Sequence, residues 1–260
     1  MLEIFRGALY LPRGLALILR PGIRRYVIMP LAINVAVFAL LIGIGVAWFG
    51  GFVATLQPSL PGWLEWLIWP LWALFVLAVL LVLFFTFSLL ANLIAAPFNG
   101  LLAEAVEREL RGNDALPQTG LWQLLRDTPA ILFSQLGKMG YSVAWAVPLL
   151  LLFVIPGVNI AAPFLWFAFG SWMLALEYLD YPMGNHGLLF RQQRRRARES
   201  RPLVLGFGAA TTAMTTIPGL NLLVMPLAVA AATLLWVERF STPTESSSRT
   251  EVPPSAAEHP

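Results

Sequence analysis

Arg24 and Arg25 follow Pro21-Gly22-Ile23 and stand immediately before a long apolar run. Guanidinium groups bind oxyanions through paired N–H donors. The first turn of a helix adds backbone N–H groups with no partner of their own. Gly22, Ile23, Arg24 and Arg25 therefore suit the capture of an anion. They suit equally well a juxtamembrane anchor resting on lipid phosphates.

Other residues invite chemistry less directly. Glu104, Glu107, Arg108 and His186 could form a polar gate. The first three are also spaced to pair along one helix face, where each exposed pair contributes only ~0–1 kcal/mol. Ile155-Pro156-Gly157-Val158-Asn159-Ile160 recurs as Ile217-Pro218-Gly219-Leu220-Asn221-Leu222. Pro-Gly-x-Asn is turn chemistry. Asn159 and Asn221 either line a pathway with helix ends aimed at an ion or only make two hairpin turns. Arg191, Arg194, Arg195, Arg196, Arg198 and Arg201 form a basic run suited to lipid headgroups; no fold or aromatic pattern supports nucleic acid.

Several activities find no residues here. The chain has no cysteine, and its two histidines are His186 and His259, so thiolate chemistry and a histidine metal site are not expected. No G-x-x-x-x-G-K-[ST] offers a nucleotide site. Ser171 has no histidine at its depth to activate it. No carboxylate pair lies in the apolar runs, which argues against an aspartyl protease and a proton relay. The chain reads as a protein that is not an enzyme and needs no cofactor.

The elements that hold these residues follow from charge. Of 260 residues only 12% are charged and 58% are hydrophobic, with a mean hydropathy of +0.73. Soluble domains run at roughly 25% charged. Four stretches contain no Asp, Glu, Lys or Arg: Tyr26–Leu64, Trp66–Ala103, Met139–Leu176 and Pro202–Val237. Each exceeds the ~18 apolar residues that mark a membrane segment. Glu3, Arg6, Pro12, Arg13 and Arg20 break any leader pattern, so no cleavable signal is expected.

The pattern predicts an all-α integral membrane protein in one domain, residues 1–240. Two long transmembrane helices are expected at 26–49 and 63–96. The first ends at Gly50-Gly51; the second carries an aromatic belt of Trp63, Trp66, Trp69 and Trp72 and resumes after Pro97 as 98–111. Two helical hairpins are expected at 141–178 and 202–238. Their arms, Tyr141–Ile155 and Leu203–Ile217, are about 15 residues or roughly 22 Å long, shorter than the hydrocarbon layer. Short arms make the hairpins partly penetrating, or re-entrant. The charged segments then share one face, cytoplasmic by the positive-inside rule. Residues 241–260, rich in Ser, Thr, Pro and Glu, read as a disordered tail.

Ala91-Asn-Leu-Ile-Ala-Ala-Pro-Phe-Asn-Gly-Leu-Leu-Ala-Glu104 closely resembles the CysZ family of bacterial sulfate permeases. So do Gly22-Ile-Arg-Arg-Tyr-x-x-x-Pro30-x-x-x-Asn34, the two Ile-Pro-Gly-x-Asn turns and Glu177-Tyr-x-Asp-Tyr-Pro182. The resemblance spans about Glu3 to Phe240. It implies an oligomeric protein of the bacterial inner membrane that passes sulfate, without nucleotide, for cysteine biosynthesis. It also implies two long helices with two partly penetrating hairpins, and a sulfate site at Gly22, Ile23, Arg24 and Arg25. The matching residues favour the anion site over the lipid anchor. Asn34, Asn92, Asn99, Asn159 and Asn221 are the polar groups on offer along a path. The alternative is a non-transporting scaffold or lipid-interacting protein of the same fold.

Overall fold

The computed structural model describes residues 2–56, 62–112, 121–217 and 220–241. These are helical, with no strand among them. The helices are α1 (Leu2–Ala8), α2 (Tyr10–Ile18), α3 (Arg24–Leu56), α4 (Ile68–Arg111), α5 (Leu121–Leu152), α6 (Ala162–Asn185), α7 (Phe190–Glu199), α8 (Arg201–Thr215) and α9 (Asn221–Leu235). A 3₁₀ turn, Gly62–Leu67, leads into α4, and a π turn, Trp236–Phe240, closes α9.

Three helical stretches are long and apolar enough to cross a membrane: Arg24–Thr55, Gly62–Val82 and Leu223–Phe240. They differ in what surrounds them. The most apolar windows of the first two are 11% and 0% buried inside the fold, whereas that of the third is 67% buried. An apolar helix exposed on all sides requires lipid as its solvent. α3 and the start of α4 run antiparallel, with Phe49 stacked on Phe75 at 4.1 Å and edge-on to Trp72 at 4.9 Å. Trp63, Trp66 and Trp69 are exposed, as a belt requires, while Trp72 turns inward onto Phe49.

Two expected boundaries move. Gly50-Gly51 does not end the first long helix, which continues to Leu56. A Cβ added at Gly50 would meet the Trp72 ring at 3.9 Å, an ordinary van der Waals contact, so this position faces that ring. In lipid, breaking the helix there would leave backbone groups without partners. Nor does Pro97 divide the second, since α4 is one helix to Arg111. In the first hairpin, α5 starts at Leu121 and α6 extends to Asn185, so both run beyond the expected bounds of 141 and 178. The turn between them falls at the Pro-Gly-x-Asn motif: Gly157 takes φ +84°, and the Asn159 N–H donates to Ile155 O at 3.0 Å. The arms of the second hairpin, α8 and α9, have 15 residues each. Pro218 and Gly219 of its turn lie outside the described residues, as does the tail from 242 on.

The core forms around α8 and α9. Val224, Leu227 to Ala232, Leu234 and Leu235 of α9 are all buried. Small residues let the helices touch backbone to backbone. Gly7 of α1 abuts Leu203 of α8, Gly206 of α8 abuts Ile4, and Gly208 abuts Ser171 of α6. Buried Thr211 and Thr233 donate to carbonyls one turn back in their own helices, both at 2.8 Å, so neither hydroxyl needs another partner.

A candidate anion site at the start of α3

The chain turns from α2 into α3 through residues 19–23. Ile23 is buried in the core and fixes this turn against the bundle. Arg20 reaches across to Glu109 of α4 at 2.8 Å and fixes it from outside. The Ile23 and Arg24 N–H groups both donate to Arg20 O at 3.0 Å, and the Tyr26 N–H donates to Ile23 O at 3.0 Å. Three N–H groups at this helix start are therefore already used within the turn, and the anion-binding capacity rests mainly on the side chains.

Those side chains are open. Arg24 and Arg25 are exposed, and among the described residues neither has a carboxylate partner. Arg25 Nη2 donates to the Tyr26 hydroxyl at 3.0 Å, and its guanidinium carbon lies 4.9 Å from the Tyr26 ring centre. The contrast with other cations is informative. Arg6, Arg13, Arg20, Arg108, Arg111, Lys138 and Arg239 all have carboxylate partners. Two adjacent guanidiniums with no counter-ion among the described residues, beside an apolar helix, form a place that suits an anion.

The expected gate residues separate into two groups. Glu104 and Arg108 form an exposed pair at 3.0 Å, one turn apart on α4. Glu107 points the other way and is fully buried. His186, at the end of α6, places Nε2 at 2.9 and 3.0 Å from its two oxygens, and Arg111 lies at 3.3 Å. The His186 ring in turn packs on Trp236, 5.2 Å between centres. The structure thus joins Glu107 with His186 but leaves Arg108 outside that cluster. Asn159 lies exposed in the α5–α6 turn. The side chains of Asn92 and Asn221 lie outside the described residues. Asn34 is buried within α3, and its Oδ1 has no partner among the described residues. Asn99 donates to the Tyr181 hydroxyl at 3.3 Å.

A further polar cluster went unread in the sequence. Lys138 of α5 lies between Glu177 and Asp180 of α6, 3.2 Å from Asp180 Oδ2. Gln193 of α7 donates to Asp180 Oδ1 at 2.6 Å and to Leu188 O at 2.7 Å. Burial alone would lower the Lys138 pKa; the carboxylates of Asp180 and Glu177 outweigh it and hold the ammonium above its ordinary value. The signal that could have found it is Glu177-Tyr-x-Asp180, two acids three apart on one helix face.

Residues 10–226 match the family model described as Sulfate transporter CysZ/Etoposide-induced protein 2.4. A protein named sulfate transporter CysZ from Pseudomonas paraeruginosa is 47% identical over 231 residues, 89% of this chain and 94% of its own length. Its namesake from Pseudomonas fluorescens strain ATCC BAA-477 is 48% identical over 234 residues, 90% of this chain and 94% of its own. One from Pectobacterium atrosepticum is 42% identical over 240 residues, 90% of this chain and 85% of its own. These matches, over a helical chain with long apolar helices, show that the chain belongs to the sulfate transporter CysZ/etoposide-induced protein 2.4 family.

Proposed function

We propose that this protein is a sulfate conduit of the bacterial inner membrane, serving the uptake that precedes cysteine biosynthesis. The observation that carries the reading is the exposed Arg24–Arg25 pair, without counter-ions among the described residues, at the foot of a long exposed apolar helix. Relatives of nearly the same length are named for sulfate transport, which supports it. Gly22 and Ile23 shape the turn, and Arg24 and Arg25 hold the dianion. α3 and the start of α4 are the two spanning helices. The α5–α6 and α8–α9 hairpins penetrate the bilayer in part, and together with α3 and α4 make one membrane domain. The basic segments face the cytoplasm, and several copies assemble in contact with membrane lipids. Transport is passive, since no nucleotide motif occurs in the sequence. Glu104, Glu107, Arg108 and His186, with Asn159 and Asn221, stand along or beside the route.

The test is flux. Radiolabelled sulfate should enter proteoliposomes holding the protein above the level of empty liposomes, and should not follow an imposed pH gradient. Arg24→Ala with Arg25→Ala should weaken sulfate binding in calorimetry by about a hundredfold, two charge-assisted contacts being lost. A folded oligomer that passes no sulfate would instead be the scaffold; unchanged binding in the double variant would move the site elsewhere.

A further inference from the structure

We infer that the outer face of α7 is a docking surface for anionic phospholipid headgroups. The helix reads Phe-Arg-Gln-Gln-Arg-Arg-Arg-Ala-Arg-Glu. Phe190, Gln193 and Ala197 are buried and fix which side faces the bundle. Arg191, Arg195 and Arg198 follow at i, i+4 and i+7 on the opposite side, and all three are exposed. Two neighbours are held otherwise. Arg194 lies over the Tyr141 ring at 4.6 Å, and Arg196 donates to Phe240 O at 2.8 Å from above the Trp236 ring.

Among the described residues the stripe has no counter-ion of its own. Glu199, the one carboxylate of α7, is exposed and forms no ion pair with it. By contrast Arg6, Arg13, Arg20, Arg108, Arg111, Lys138 and Arg239 are each paired with a carboxylate. Like charges four apart weaken a helix, so an external anion improves the balance here.

Height selects the anion. Arg194 stacks on Tyr141, and Phe190 N–H donates to Ser134 Oγ at 2.8 Å, so α7 is strapped to α5 between residues 134 and 141. Tyr141 lies just inside the charge-free stretch that opens at Met139. On the other side of α5, Leu132, Leu136, Met139 and Val143 form an exposed apolar stripe that runs past this level unbroken. Lipid therefore begins at or below the height of α7, and the stripe stands in the headgroup zone. Guanidiniums at that depth pair with phosphodiesters, and a net negative leaflet favours them further.

Native mass spectrometry of the full protein in detergent tests this, with phosphatidylglycerol titrated against phosphatidylcholine. Wild type should prefer phosphatidylglycerol. Each arginine near an anionic surface contributes about fivefold in affinity, so Arg191→Gln/Arg195→Gln/Arg198→Gln should lose about a hundredfold and with it the preference. The corresponding triple Lys variant should keep most of it, which separates charge from fold. Equal binding of the two lipids by wild type overturns the inference, as does a triple Gln variant that keeps the preference. Displacement of the lipid by inorganic phosphate at matched concentration would make the stripe a soluble-anion site and also overturn it. The Arg24→Ala/Arg25→Ala variant should retain the preference; its loss there would place the lipid at α3 instead.

Discussion

His186 Nε2 sits 2.9 and 3.0 Å from the two carboxylate oxygens of Glu107, and that carboxylate has no exposure to solvent. The contact satisfies both side chains where no water reaches the carboxyl group. Seventy-nine residues separate the two in sequence, and their contact ties the end of α4 to the end of α6. In His186→Ala the carboxylate keeps only Arg111, at 3.3 Å. Leaving a buried charge short of partners costs about 3 kcal/mol, or roughly 10 °C of melting temperature for a chain of this size. Glu107→Gln, which removes the charge and keeps the shape, should cost less than half of that. A His186→Ala protein melting with wild type would show that the pair is not stabilising.

Glycine positions sort by what surrounds them. A Cβ on Gly206 would fall 1.9 Å from Ile4 O, and one on Gly7 2.0 Å from Leu203 O. Neither is room that a side-chain movement could make, because the obstacle is backbone. Gly206→Ala should therefore push α1 off α8 at about 3 kcal/mol, visible as faster proteolysis of the N-terminus before the rest melts. Around Gly22 nothing lies within 4 Å. Gly22→Ala should leave the melting temperature within about 0.5 kcal/mol of wild type, so any loss of sulfate binding in it reports on the site rather than on folding.

Lys138 sets a pH dependence. Its folded pKa lies above the ordinary 10.5, because Asp180 and Glu177 outweigh the effect of burial. A raised cation contributes stability that is fully present below 10.5 and is lost as pH climbs through the folded value. Wild type should thus hold its melting temperature from neutral pH to about pH 10 and fall above it. Lys138→Met should start lower, with Glu177 and Asp180 facing each other unrelieved, and should show less of that alkaline fall. Parallel curves for the two proteins would remove Lys138 as the cause.

Charge-free runs were enough to locate α3 and α4, because a long apolar helix is written in consecutive residues. The Pro-Gly-x-Asn words located the α5–α6 turn, since Gly157 needs the positive φ it adopts. The Glu104–Arg108 pair was readable for the same local reason, a spacing of one turn. Helix ends were less legible. Gly50-Gly51 looks like a stop in water, but α3 runs through it to Leu56 beside the Trp72 ring. Lys138 with Asp180, 42 residues apart, was not readable as a pair, and Glu107 with His186, 79 apart, was readable only as two members of a larger polar group; both pairs meet because α4, α5 and α6 pack together. The Arg24–Arg25 pair was legible as chemistry, but its lack of counter-ions was not, because that depends on where every other carboxylate lies.

The last prediction concerns how Arg25 is held. Its Nη2 donates to the Tyr26 hydroxyl at 3.0 Å, and its guanidinium stands over the ring of that same residue. Both groups are near the surface, so the bond adds little to folding. Its effect is on freedom: a long, rotamer-rich side chain is ordered before the anion arrives, and the cost of ordering it is removed from the binding step. Tyr26→Phe keeps the ring and deletes the hydroxyl. It should leave the melting temperature unchanged and weaken sulfate binding by about two- to fivefold, with the loss appearing as a less favourable entropy in calorimetry. Arg25→Ala made on top of it should then cost no more than Arg25→Ala alone, because the hydroxyl acts only through that guanidinium. Additive losses in the double variant would mean that Tyr26 contacts the anion directly.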